Sequence, residues 1–136
     1  MKRLFIFCFL MLAIDKIHAQ EIPNARVQDT IYNIVDTLPS FDGGDAGWKK
    51  YLKKNLKYPR YAWREELEAD VTMDFIVRKD GTLTDIHYVT IVGYGFEEEA
   101  TRLMKNCGRW NPAIKNGRKV DYHAQLPIIF KLRNHD

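Results

Sequence analysis

Between Asp45 and Asn55 the large apolar side chains Trp48, Tyr51 and Leu52, with Leu56 at the edge, recur at helical spacing, and Lys49, Lys50, Lys53, Lys54 and Lys57 take the positions between them. That pattern predicts a helix with one face on a core and a solvated basic face. Tyr58-Pro59 ends it, because the residue before a proline is pushed out of the helical region, and Pro59 suits the first turn of a further short helical stretch over Arg60 to Leu67. The period then changes to two. Val71, Met73, Phe75 and Val77 alternate with Asp70, Thr72, Asp74, Ile76 and Arg78, which predicts a half-buried strand.

Lys79-Asp80-Gly81-Thr82 carries the Asp-Gly pair of a tight hairpin, and the return strand is expected from Leu83 to about Val92. Phe96, Ala100, Leu103, Met104 and Cys107 then mark one face of a helix that Gly108 ends, with Glu97, Glu98 and Glu99 in its first turn. Trp110 to Gly117 reads as a loop. Beyond it Val120, Tyr122, Ala124, Leu126, Ile128, Phe130 and Leu132 alternate over the longest strand pattern in the chain, interrupted by Pro127, which is tolerated chiefly at a sheet edge. The sum is a small α+β domain with helices on one face of an antiparallel sheet.

The front of the chain reads differently. Lys2 and Arg3 precede an apolar run from Leu4 to Ile14, and Ile17-His18-Ala19 offers a small residue at a cleavage point, which predicts a secretory signal over residues 1–19. The alternative, an uncleaved anchor in the inner membrane, is disfavoured by length, because a spanning helix needs about 20 apolar residues. Removal of the signal leaves 117 of the 136 residues, enough for a core without metal or disulfide staples. Residues 20–37 are expected to form a leader, its second half from Asp29 a short strand or an extended arm laid on the domain. The turn cluster Leu38-Pro39-Ser40-Phe41-Asp42-Gly43-Gly44 introduces the first helix.

Charge adds an exclusion. Three of the 21 basic and one of the 18 acidic residues lie in the signal, so the mature chain carries a net of +1, which gives no argument for nucleic acid. Cys8 leaves with the signal and Cys107 stays alone, expected buried, so no internal disulfide forms.

Little catalytic chemistry is spelled out. Gly93-Tyr94-Gly95 lacks the third glycine of a dinucleotide fingerprint. Asp42-Gly43-Gly44-Asp45 lacks the ligand pattern of a cation loop and reads as a turn and helix cap. His87, His123 and His135 stand at no metal-ligand spacing. Cys107, His123 and Asp121 could in principle compose a thiol nucleophile, but a cysteine on the apolar face at a helix carboxyl end is disfavoured as a thiolate. Glu97 to Glu99 point around the helix and are expected on the surface. No cofactor, no small-molecule substrate and no enzyme activity is expected. What remains is the last strand, whose unpaired backbone either binds by strand addition or is merely blunted by Pro127 against aggregation.

Several segments in this order resemble a known family. They are Leu38 to Gly44, Tyr51-Leu52-Lys53-Lys54-Asn55-Leu56-Lys57-Tyr58-Pro59, Val71 to Val77 leading into Lys79-Asp80-Gly81-Thr82-Leu83-Thr84-Asp85-Ile86, Glu98-Glu99-Ala100, Arg109-Trp110-Asn111-Pro112, Asn116-Gly117-Arg118-Lys119-Val120 and Leu126-Pro127-Ile128-Ile129-Phe130. Together they resemble the carboxyl-terminal domain of TonB-type energy transducers in the form common among Bacteroidetes, over about Val35 to Leu132, and place the domain at residues 38–133. Asp42, Ala69 and Ala113 depart from that family at turn positions.

The resemblance implies a two-helix, three-stranded antiparallel fold in the periplasm that grasps the TonB box of outer-membrane TonB-dependent receptors on its last strand, Asp121 to Lys131. If Pro127 faces outward, His123, Gln125 and Ile129 offer their amides to the partner while Tyr122, Leu126 and Ile128 pair inward. The transmembrane anchor and proline-rich spacer of energy transducers are not expected ahead of this domain. An adapter, a competitor of transducers, an accessory subunit, or a periplasmic peptide-binding and assembly module without a transport role are the readings left, with a strand-exchanged homodimer open.

Overall fold

A computed structural model describes residues 30–132. The expected signal and the leader as far as residue 29, with Cys8 and His135, lie outside the described residues. The elements in chain order are β1 (Ile31–Tyr32), α1 (Gly44–Asn55), α2 (Arg60–Arg64), β2 (Ala69–Val77), β3 (Leu83–Tyr88), α3 (Phe96–Asn106), β4 (Ala113–Lys115) and β5 (Arg118–Phe130).

The α+β class and the three antiparallel strands are as expected: β2 lies between β3 and β5 and pairs with β5 over its whole length, from Ala69 opposite Phe130 to Val77 opposite Tyr122. Strand alternation sends Val71, Met73, Phe75 and Val77 to one face, where they are buried with Phe96, Ala100, Leu103 and Met104 of α3 and with Ile128 and Phe130 of β5. Trp48, Tyr51 and Leu52 of α1 pack on the margin of this core, and the α1 lysines are exposed.

The additions to the two-helix, three-strand plan have local causes. α2 stops at Arg64 because Glu66 takes a positive φ of 53° and the Leu67 amide reaches back to the Ala62 carbonyl, a helix-ending pattern. β3 ends at Tyr88 instead of Val92. Its register with β2 shifts between Asp74 and Ile76, with Asp85 at φ 53°, and beyond it the Thr90 hydroxyl accepts from the Thr72 amide where a strand carbonyl would stand.

The expected loop at Trp110 to Gly117 contains a hairpin, β4 returning into β5 through Asn116 and Gly117 at φ 50° and 72°. Positive φ at both central residues is the turn that matches strand twist, and Asn-Gly is the pair that supplies it. β1, parallel to β5, pairs Ile31 with Asp121 and Tyr32 with Tyr122. From there the chain is held against the β4–β5 hairpin: Lys115 Nζ donates to the Ile34 carbonyl at 3.1 Å, the Asn116 amide to Asp36 Oδ2 at 2.7 Å, and Thr37 pairs with Ile114. Residues 30–40 thus form a strap over the hairpin.

Glu97 and Glu99 correct an expectation, since both are buried and only Glu98 is exposed. The Glu97 carboxylate accepts from the Val92 amide and, at 2.7 Å, from the Gly93 amide, closing the loop ahead of α3. Glu99 accepts from the Lys57 amide at 2.6 Å and pairs with Arg102 at 2.7 Å, which ties α3 to the segment between α1 and α2. Burial alone would raise the Glu97 carboxyl, but the amide donors outweigh it and hold it below the usual carboxylate range.

Candidate functional site

β5 has two edges, and the backbone decides which residues serve each. Opposite Pro127 stands Thr72, whose amide donates to Thr90 Oγ1 and whose carbonyl accepts from Val89, both on the β3 side. Thr72 therefore offers nothing to β5, and Pro127, which has no amide hydrogen to offer, is not asked for a bond by β2. Alternation then turns the backbone groups of His123, Gln125 and Ile129 away from β2, while Tyr122, Leu126 and Ile128 face Val77, Met73 and Val71. On the outward edge β1 covers only Asp121 and Tyr122. From His123 to Phe130 no strand among the described residues pairs with that edge.

The side chains of His123 and Gln125 stand on the sheet face opposite the helices. There His123 Nε2 lies 2.7 Å from Asp74 Oδ1, Gln125 donates to Asp74 Oδ2 at 2.8 Å, and His87 Nε2 lies 3.7 Å from Asp74. Burial pushes the Asp74 carboxyl up, but the bonds from Gln125 and His123 and the nearby imidazoles overcome this and leave it below its ordinary range. Asp74 thus fixes the two side chains on the free edge. In the sequence it is only a polar member of an alternating strand, and it gains its partners from the pairing of β2 with β5.

On the helix side, α1 runs alongside the same edge. Near Ala124 and Leu126 a cavity of about 230 Å³ opens between β5, the end of the strap and the first half of α1, walled by Leu38, Phe41, Trp48 and Trp110. Its aromatic wall is packed ring against ring, Phe41 to Trp48 at 5.3 Å and Trp48 to Trp110 at 5.9 Å. Further along, a cleft of about 570 Å³ lies between Ile129 and Lys131 on one side and Lys49, Leu52, Lys53 and Trp63 on the other.

The other chemistry-bearing residues are not brought together. Cys107 is buried on the helix side, its sulfur 3.3 Å from Trp110 Nε1, and burial pushes its thiol up, away from the thiolate form. His123 is engaged with Asp74, and Asp121 accepts from Arg78 at 2.9 Å and from the Lys79 amide at 2.6 Å. Among the described residues no cluster of three or more His, Cys, Asp or Glu could hold a metal, and no helix is long and apolar enough to cross a membrane.

A family model described as the Gram-negative bacterial TonB protein C-terminal matches residues 54–132, more than half of the chain. The chain belongs to the TonB carboxyl-terminal domain family. Members of that family are generally linked to TonB-dependent transport, act in the periplasm and interact with outer-membrane receptors. Among solved structures, the chain is similar to the Helicobacter pylori TonB carboxyl-terminal domain (residues 179–285), at 22% identity over 65% of this chain and 80% of that one, TM-score 0.48. It is also similar to the Pseudomonas aeruginosa TonB carboxyl-terminal domain, at 26% identity over 59% of this chain and 81% of that one, TM-score 0.47. No curated protein matches the chain.

Proposed function

We propose that this TonB-family domain, exported to the periplasm by cleavage of residues 1–19, binds the TonB box of an outer-membrane TonB-dependent receptor by strand addition. Residues 20–37 lead into the binding domain at 38–133, and the binding edge is that of β5. His123, Gln125 and Ile129 exchange backbone hydrogen bonds with the added strand, and Pro127 leaves one gap that fixes its register. The observation that carries this reading is the outward edge of β5, unpaired from His123 to Phe130 among the described residues, on a strand whose other edge is paired with β2 from Tyr122 to Phe130. An extended peptide placed there gains main-chain bonds for affinity and alternate side-chain contacts for selectivity.

Calorimetric titration of the protein with TonB-box peptides from receptors of the same organism tests it, with Ile129→Pro as the partner variant. That substitution removes an outward amide without taking a bond from β2, so the fold should survive. Saturable binding that Ile129→Pro weakens at least tenfold is the expected result. Equal binding by both proteins, or none by the folded parent, overturns the reading.

A further inference from the structure

α2 buries a single residue, Ala62, and leaves Arg60, Tyr61, Trp63 and Arg64 exposed. Its short turn therefore displays an indole and a phenol that a core-forming helix would hide. Trp63 is 53% exposed and meets Tyr58 edge-on at 6.0 Å. Tyr61 stacks on Tyr94 at 5.6 Å with the ring planes 4° apart, and the Arg64 guanidinium lies 5.7 Å from the Tyr61 ring. That stack joins α2 to the loop ahead of α3. A Cβ on Gly95 would meet Pro59 at 3.2 Å, so the loop is also seated on the start of α2. The same loop carries Ile91, 85% exposed although the next amide, that of Val92, is tied to the Glu97 carboxylate. An apolar tip is thus presented on a held backbone.

The charge around these rings has one sign. Arg60 and Arg64 line a cleft of about 620 Å³ with Tyr58, Tyr61 and Trp63, and Trp63 also lines the cleft at Lys49, Lys53 and Lys131. The exposed acids Glu65, Glu66 and Glu98 line neither cleft. Among the described residues Arg60 and Arg64 have no carboxylate partner, whereas Arg78 and Arg102 do.

We infer that this surface docks the domain on a bilayer containing anionic phospholipid. Tyrosine, tryptophan and arginine suit the boundary between water and hydrocarbon, each having an apolar body and a polar end. Ile91 and Trp63 enter the acyl boundary while Arg60 and Arg64 meet lipid phosphates. A glycan is the poorer fit, because the Tyr61 ring it would stack on is already engaged by Tyr94 and Arg64. The inference goes beyond peptide capture at β5 and does not depend on it.

The test is co-sedimentation with vesicles of phosphatidylethanolamine and about 30% phosphatidylglycerol, against vesicles of phosphatidylcholine. The protein is exported from its full-length chain and checked by mass for removal of residues 1–19, an apolar run that would itself enter lipid. Binding to the anionic vesicles that weakens with salt is expected. Arg60→Gln/Arg64→Gln should weaken it roughly twentyfold, at about fivefold per basic residue. Ile91→Ser should weaken it roughly tenfold. Arg118→Gln/Lys119→Gln, the same loss of charge at the opposite end of β5, should leave it within about twofold. Vesicles should shield tryptophan emission from acrylamide, and Trp63→Phe should remove that protection, since Trp48 and Trp110 pack against each other. Equal binding by the parent and by the arginine or Ile91 variant, or none by the folded parent, overturns the inference. Sedimentation with peptidoglycan sacculi in place of vesicles overturns it too and makes the surface a glycan site. Ile129→Pro should bind vesicles like the parent, so failure of lipid docking and failure of strand addition are told apart.

Discussion

Gly47 occupies a helical position where propensity alone would favour alanine by about 1 kcal/mol. A Cβ there would stand 2.0 Å from the Asp42 carbonyl oxygen, in a turn already committed by the Phe41 to Gly44 bond. Gly47→Ala is therefore expected to lower stability by about 2 kcal/mol in urea unfolding, the opposite sign to the helix rule. Asp74 supplies a second prediction. Its carboxyl is depressed in the folded state, so its contribution is fully present above the unfolded value near 3.9 and is lost as pH falls through the lower folded value. Asp74→Asn should cost stability at pH 7, and its deficit against the parent should shrink below about pH 4, which unfolding curves across pH 3 to 7 would reveal. Neither position announces itself in the sequence, because a glycine in a helix and an aspartate in an alternating strand acquire meaning only from a neighbour distant in the chain. The burial of Glu97 and Glu99 has the same origin: their partners are amides of a loop and of the segment after α1.

Periodicity carries the elements whose burial is one-sided. α1, α3, β2 and β5 were legible from apolar spacing, and the Arg78 to Thr82 turn from its Asp-Gly pair, with Asp80 accepting from the Thr82 amide and hydroxyl. β3 is shorter than its apolar pattern suggests because a register shift with Asp85 at positive φ leaves no mark on that alternation. β4 is too short for a period, although its Asn116-Gly117 turn was in view. The strap had only a loose apolar pattern, since it is fixed by Asp36, Thr37 and the Lys115 ammonium and not by a buried face of its own. Asp36→Ala should accordingly speed amide exchange at Asn116, Thr37 and Tyr32 while amides in β2 and α3 keep their protection, because the strap opens separately from the core. Uniform loss of protection would refute this. The outward edge of β5, the central feature of the site, was anticipated from Pro127 alone, whereas the groove beside it required α1 to be placed.

At the scale of the molecule, the folded domain hides the one thiol among its described residues, Cys107, behind Trp110 and the core. The protein recovered from the periplasm should give no fast reaction with a thiol reagent when native and one thiol per chain in denaturant. Two thiols per chain would mean that Cys8, and with it the signal, had been kept. The same native core transmits whatever happens at β5, for that strand is joined to β2 by an unbroken register of nine facing residues. Ladder hydrogen bonds lie across the strand direction, so traction along β5, or along any chain laid beside it, loads all of them together in shear instead of peeling them one at a time. The edge that is open to a partner thereby belongs to a strand that resists traction along its length by the whole ladder at once.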